Sequence, residues 1–364
     1  MIPLANPVFG AAEADAVQGV LDSGMVADGP EVRRFEQEFA DYCGAAHAVA
    51  TSNGTTALHA ALKALGIGDG DRVVTTPLSF VASANTIRLA GAEPVFADID
   101  PATYNLDPAE TRRAVREADA DAILAVHLYG LPADMDALNE IADDAGIPLI
   151  EDAAQAHGAT YGGEPVGTFG DAAAFSFYPT KNMTTGEGGM VVTDQEPVAD
   201  RAASFCNHGR TDEGGYAHER VGHNFRMTSL AAAIGRVQLD RLPDWVAARR
   251  ANARRLTEGL AGVDAVTTPH EPDDRRHAYH QYTVRTPDRD RLQEGLAEAG
   301  VDSGVYYPTP IHQLAAYDGF DVRAPAAETA AESVVSLPVH PALSDDDIER
   351  IVEATRRVAD GLTV

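Results

Sequence analysis

Between about residues 45 and 195 the chain alternates short apolar, β-rich runs with helical ones. HAVATSN is followed by TTALHAALKALG, RVVTTP by SFVASANTIRLAG, and EPVFADID by PAETRRAVREAD. DAILAVHLYG, DMDALNEIADDAG and IPLIEDAA continue the series, and DAAAFSFYP and GMVVTD close it. Strands this apolar need cover on both faces, and strands separated by helices pair in parallel. The pattern therefore predicts an α/β fold with a mainly parallel sheet between helical layers. Ligands of such sheets bind beyond the carboxyl ends of the strands, so chemistry is sought just after each run.

After the alternation comes a loop from Asn207 to Asn224, rich in Gly, His and Arg and long enough to suggest a functional role. MTSLAAAIGRVQLDRL and PDWVAARRANARRLTEGL predict long helical segments, broken or bent at Pro243. HQYTVRT, DRLQEGLAEAG, SGVYYP and a closing helix, DDDIERIVEATRRVADGL, suggest a smaller α/β unit. A chain of 364 residues exceeds one small domain. The expected division is a large domain with an N-terminal arm over 1–240 and a small one over 241–364.

The formal net charge is −28, from 56 acidic residues against 28 basic ones. Such a surface repels nucleic acid and anionic membranes, and neither is an expected partner. Of the 28 basic residues only two, Lys63 and Lys181, are lysines. Acid excess with arginine in place of lysine suggests adaptation to high salt, where counterions screen the self-repulsion. Cys43 and Cys206 are too few for a disulfide framework and lack metal-ligand spacing. With no leader-like start and no apolar run of about 18 residues, a cytoplasmic protein is expected.

Surface chemistry accounts for avoiding lysine, so Lys181 needs a reason of its own. Lys63 sits in ALHAALKALG, on what reads as the wet side of a helix. Lys181 lies in SFYPTKNMTTGEGGM, between a strand-like run and a glycine-rich turn. Arginine cannot lose its proton at working pH, and chemistry that needs a free amine needs lysine. Three other stretches fall at neighbouring strand ends. SNGTTAL (52–58) turns through glycine into a helix start, whose free N–H groups suit one phosphate; as structural punctuation it is also commonplace. It is not a GxGxxG, which disfavours a dinucleotide. PLIEDAAQAHG ends a strand with Glu151 and Asp152; the acid either caps a following helix or faces the crevice, with Gln155 as a neutral partner. Phe80, in PLSFVASAN, is either a core aromatic or a flat apolar face. Amine, carboxylate, phosphate turn and flat face together are what pyridoxal phosphate requires.

Lys181 in FSFYPTKNMTTGEGG, Asp152 in EDAAQAHGA, the SNGTTAL turn and NFRMTSL together resemble the DegT-type nucleotide-sugar aminotransferases. SGMVADGPEVRRFEQEFADYCG and VYYPTPIH extend the resemblance over nearly the whole chain. It implies the fold type I of pyridoxal phosphate enzymes, with a mainly parallel seven-stranded sheet and a smaller C-terminal α/β domain. Lys181 matches the Schiff-base lysine, Asp152 the partner of the pyridinium nitrogen, and Gln155 a residue near the ring hydroxyl. Gly54, Thr55, Thr56 and Ser176 fall at phosphate positions, Phe80 at the stacking position, and Asn224 at an asparagine reaching the neighbouring subunit's phosphate. The resemblance thus implies a homodimer with shared sites, and amino transfer, with glutamate expected as donor, to a nucleotide-linked keto-sugar. Some relatives carry histidine in place of the lysine and dehydrate sugars; this chain keeps Lys181. Elimination or dehydration by another fold-type-I enzyme, and a non-catalytic cofactor-binding regulator, are the rival readings. Arg210, Arg226 and His312 lie in stretches that could meet a charged acceptor, and surface or structural roles serve them as well. His208, His218 and His223 match no zinc pattern, and no metal is expected.

Overall fold

The computed structural model describes residues 1–211, 216–320 and 322–361. Helices α1 (Ala11–Ser23) and α2 (Pro30–Cys43) precede β1 (His47–Thr51), α3 (Gly54–Ala64), β2 (Arg72–Thr75), α4 (Ala82–Ala90) and β3 (Glu93–Phe96). Next come α5 (Pro108–Ala118), β4 (Ala122–Val126), α6 (Met135–Ala145) and β5 (Leu149–Asp152). A two-residue pair, β6 (Thr160–Tyr161) and β7 (Glu164–Pro165), leads to β8 (Ala172–Ser176), β9 (Gly189–Thr193) and α7 (Glu196–Cys206). The remainder is α8 (Ser229–Leu260), β10 (Arg275–Arg276), β11 (Tyr282–Arg285), α9 (Arg289–Glu298), α10 (Pro325–Ser333), β12 (Val334–Leu337) and α11 (Asp345–Asp360).

Seven strands form one sheet in the order β1-β9-β8-β5-β4-β2-β3. β3, β2, β4, β5 and β8 pair in parallel, and β9 runs against both β8 and β1. The sheet is thus mainly parallel, as the alternation predicts, with β5 in the middle.

Side-chain alternation along the strands divides the core in two. Val73, Leu124, Ile150, Ala172 and Val191 pack with Leu58 and Leu62 of α3, Ile87 of α4 and Val198 of α7. Their neighbours face the other way: Phe175, Met190 and Val192 meet Phe35 and Phe39 of α2 and Leu239 and Leu242 of α8, while Ile123 and Leu149 meet Leu138 and Ile141 of α6. Strands buried on both sides give near-continuous apolar runs, which is why they were legible as strands. The same alternation sends Asp152 toward the α3–α4 side and Glu151 to the opposite one.

A separate cluster joins Tyr282 and Val284 of β11, Val335 and Leu337 of β12, Leu292 and Leu296 of α9, Ile348 and Ile351 of α11 and Leu256 and Leu260 of α8. Ile2 is buried in it too, its N–H donating to Gly300 O at 2.8 Å.

One expectation is narrowed and another corrected. Of the break or bend expected at Pro243, the break is absent: α8 is continuous over 32 residues. A proline inside a helix costs roughly 3 kcal/mol. Pro243 is exposed, and Leu239, Leu242 and Val246 beside it are buried, so packing offsets the missing hydrogen bond. Lys63 is not simply solvated. It is half-buried, and its ammonium donates to the carbonyls of Ile67 and Ala90 at 3.0 and 3.1 Å, closing the end of α3.

Candidate active site

The carboxyl ends of the strands border a cavity of about 870 Å³, within the range of small-molecule sites. Gly54, Thr55, Thr56, Phe80, Asp152, Gln155, Ser176 and Lys181 all line it. Residues quoted from four separate stretches thus meet in one place.

α3 begins here because Asn53 caps it: its Oδ1 accepts the Thr56 N–H at 2.9 Å, and the Thr56 hydroxyl accepts the Asn53 N–H at 3.1 Å. The cap uses Thr56, and among the described residues the first-turn amides of Gly54 and Thr55 have no acceptor, at the positive end of the helix dipole. Gly54 is required by closeness. A Cβ there would lie 2.6 Å from Ser176 Cβ at the end of β8, so only glycine lets helix start and strand end converge.

Asp152 is buried at the end of the central strand. Its Oδ2 accepts the Ser83 hydroxyl at 2.7 Å and its Oδ1 the Ala154 N–H at 3.2 Å. Ser79 completes a chain, 2.8 Å from Ser83. Burial raises the Asp152 carboxyl above its usual range, against the Ser83 and Ala154 hydrogen bonds and the charge of Lys181. No helix follows Asp152, so the capping alternative fails. Glu151 is the structural acid. It accepts His127 Nε2 at 2.9 Å and the amides of Gly167, Phe169 and Gly170, each at 2.9 Å. Burial alone would raise its carboxyl, but these donors hold it below the usual range.

Lys181 follows β8 through the turn Phe177–Thr180 and is partly buried. Loss of water lowers its amine to about 8, with the Asp152 charge pulling the other way. Phe80 settles its alternative: at 55% exposed it is not core, and its ring borders the cavity 6.0 Å from that of Tyr307. Gln155 donates from Nε2 to Tyr307 Oη at 3.3 Å.

Asn224, Arg210, Arg226 and His312 do not line this cavity. Asn224 is exposed and bridges to Asn207, closing the neck of the 207–224 loop, of which residues 212–215 lie outside the described residues. Arg226 donates to Asn207 Oδ1, and Arg210 lies over the exposed Tyr216 ring, 5.5 Å from its centroid. His312 is buried, with Nε2 3.3 Å from Glu328 Oε1. Among the described residues no group of three or more His, Cys, Asp or Glu is placed to hold a metal, and no helix is long and apolar enough to cross a membrane. The sequence reading passed over Ser83, Tyr178, Glu187, His280, Gln281, Tyr306 and Tyr307, all on the cavity wall. Only the Tyr-Tyr-Pro of VYYPTPIH carried a signal, as paired aromatics before a proline.

Pyridoxal phosphate fits these residues. The start of α3, which Gly54 allows to sit against Ser176, lines the cavity with two free amides for a phosphate; the exposed Phe80 ring offers a flat wall, and a buried carboxylate and the amine complete the set.

A strand-end cavity holding lysine, carboxylate and anion cradle defines a pyridoxal phosphate enzyme of fold type I. The chain belongs to the DegT/DnrJ/EryC1/StrS aminotransferase family, whose model matches residues 7–356. It is 43% identical to the pleiotropic regulatory protein of Geobacillus stearothermophilus, over 92% of this chain and 91% of that one. It is 41% identical to the dTDP-3-amino-3,4,6-trideoxy-alpha-D-glucose transaminase of Streptomyces venezuelae, over 96% and 93% of the two chains. The crystal structure of S. venezuelae DesV in complex with a ketimine intermediate superposes with a TM-score of 0.93, covering 96% and 95% of the chains at 41% identity. The chain is a pyridoxal phosphate-dependent aminotransferase, and its curated relatives include transaminases of dTDP- and UDP-linked sugars.

Proposed function

We propose that this aminotransferase moves an amino group from glutamate to a keto-sugar linked to a nucleoside diphosphate. The observation that carries the reading is the single cavity in which Lys181, the Ser83-held Asp152 and the capped start of α3 converge. When bound, pyridoxal phosphate supplies an aldehyde for the amine and a ring that takes up the electrons left by the departing α-proton. In this reading Gly54, Thr55 and Ser176 hold the phosphate, with Thr56 fixing the cap beneath them. Phe80 covers the ring face, Gln155 meets the ring's edge, and Asp152 holds the proton on the ring nitrogen. Lys181, its amine lowered to about 8, anchors the cofactor and then carries the α-proton at Nζ.

Asn224 is proposed to serve the phosphate of a second subunit. Its exposure and its distance from this chain's own cavity support that placement, as do the exposed Phe9, Leu21 and Met25, which a homodimer would cover. Arg210 on that loop and Arg226 just after it are candidates for meeting the acceptor's charge across that interface; His312, tied to Glu328, is better placed for structure. We keep the division near residue 240 as a proposal: α8 passes through it, and the C-terminal cluster draws on residues from 253 onward with Ile2. A cytoplasmic, salt-adapted protein accords with the charge of −28.

The regulator reading is favoured by one observation, the named regulatory relative. Incubation with glutamate and a keto-sugar nucleotide separates the readings. Amino transfer yields 2-oxoglutarate and an amino-sugar nucleotide in equal amounts; elimination yields neither, and a regulator leaves both reactants unchanged.

A further inference from the structure

Gln155 and Tyr307 lie 152 residues apart in the chain and touch on the cavity wall. The Gln155 amide has one possible orientation. Its Oε1 accepts the backbone N–H of Tyr129 at 2.8 Å, so Nε2 is the atom that faces Tyr307, 3.3 Å from its hydroxyl oxygen. An amide nitrogen only donates. The phenol oxygen is therefore the acceptor in this contact, and its own proton is left over; among the described residues that hydroxyl has no second partner.

Backbone and side-chain contacts hold the frame around the pair. Tyr129 adopts φ 59°, and Gly130 follows at φ 95°, where a Cβ would lie 2.9 Å from the Gln155 carbonyl oxygen and 3.0 Å from the His280 nitrogen. The Tyr129 hydroxyl donates to the Tyr306 carbonyl, and its own carbonyl accepts the Gln281 N–H at 3.1 Å. One residue thus orients Gln155 through its backbone and holds the segment carrying Tyr307 through its side chain.

We infer that Tyr307 is a further catalytic residue, whose hydroxyl donates a hydrogen bond to an oxygen of the cavity's occupant that bears or gains negative charge. Two oxygens share that chemistry: the cofactor's ring oxygen and the carbonyl oxygen of the keto substrate. Burial, helped by the nearby Asp152 charge, raises the Tyr307 phenol above its usual range, so it stays a donor through neutral pH. Had the Gln155 amide been reversed, its oxygen would have consumed the phenol proton; the Tyr129 N–H prevents that. The inference rests on the aminotransferase reading for the identity of the occupant.

The test uses holoenzyme carrying Tyr307→Phe, which keeps the ring packed against Phe80. If the acceptor is the cofactor's oxygen, the pH at which the bound chromophore changes absorbance moves by about one unit or more, the worth of a charge-assisted hydrogen bond. If it is the substrate's, the spectrum stays and the half-reaction with the keto acceptor slows at least about tenfold, while that with the amino donor does not. A second variant, Gln155→Glu, leaves the hydroxyl in place but offers an oxygen that consumes its proton, and it is expected to reproduce the same change. Unaltered spectra and unaltered half-reactions in Tyr307→Phe overturn the inference. So does a change in Gln155→Glu that Tyr307→Phe lacks, since it assigns the effect to Gln155 alone. The spectral arm needs no sugar, so its failure is distinct from a failure of the keto-sugar assignment.

Discussion

Ser83 of α4 donates a 2.7 Å hydrogen bond to Oδ2 of Asp152, 69 residues further along the chain at the end of β5. Burial favours the protonated acid at Asp152, and Ser83 is the largest influence restoring the carboxylate. Removing the hydroxyl therefore raises the Asp152 pKa. In Ser83→Ala the acid limb of the activity–pH profile is expected to move upward, with the alkaline limb unmoved. Asp152→Asn, which keeps the shape and loses the charge, is expected to retain cofactor and lose most transamination. A pH profile unchanged in Ser83→Ala, or wild-type turnover in Asp152→Asn, contradicts the role.

Gly54→Ala tests the anion cradle. The added carbon falls 2.6 Å from Ser176 Cβ and 3.2 Å from Ser176 Cα, so the helix start must move. Cofactor titration is expected to show binding weakened at least about tenfold, equal to about 1.4 kcal/mol. Wild-type cofactor affinity in this variant would remove the phosphate from the α3 terminus.

Sharing of sites between subunits is tested by mixing two inactive variants, Lys181→Ala and Asn224→Ala. In the hybrid dimer one site collects both defects and the other neither, so activity returns on mixing. Salt is kept high, because dilution unscreens the repulsion within a chain of net charge −28. Demonstrated subunit exchange without recovery, or an active monomer, contradicts the arrangement.

What could be read from the sequence was what depends on neighbours in the chain. Alternating runs such as RVVTTP and SFVASANTIRLAG carry their own periodicity, and a lysine in a chain with only two announces itself. Phe80 could not be placed, since core and cavity wall call for the same residue; only its exposure decided. Ser83 was invisible, and Tyr307 showed only as one of two paired aromatics, because their partners, Asp152 and Gln155, meet them through the tertiary fold. Of the break or bend expected at Pro243, the break is absent for a related reason: local propensity favours it, and burial of Leu239, Leu242 and Val246 keeps the helix continuous.

The most direct measurement follows from the scarcity of lysine. Holoenzyme reduced with borohydride and cut into peptides offers two lysines as sites of attachment, Lys63 and Lys181. Lys63 is held against two carbonyls at the end of α3, whereas Lys181, with its amine lowered to about 8, borders the cavity beside Asp152. In cofactor-free protein, capture of added pyridoxal phosphate should rise as pH passes about 8 and the amine loses its proton. The label is expected on Lys181. Label on Lys63, or none on Lys181 in protein shown to hold cofactor, contradicts the account.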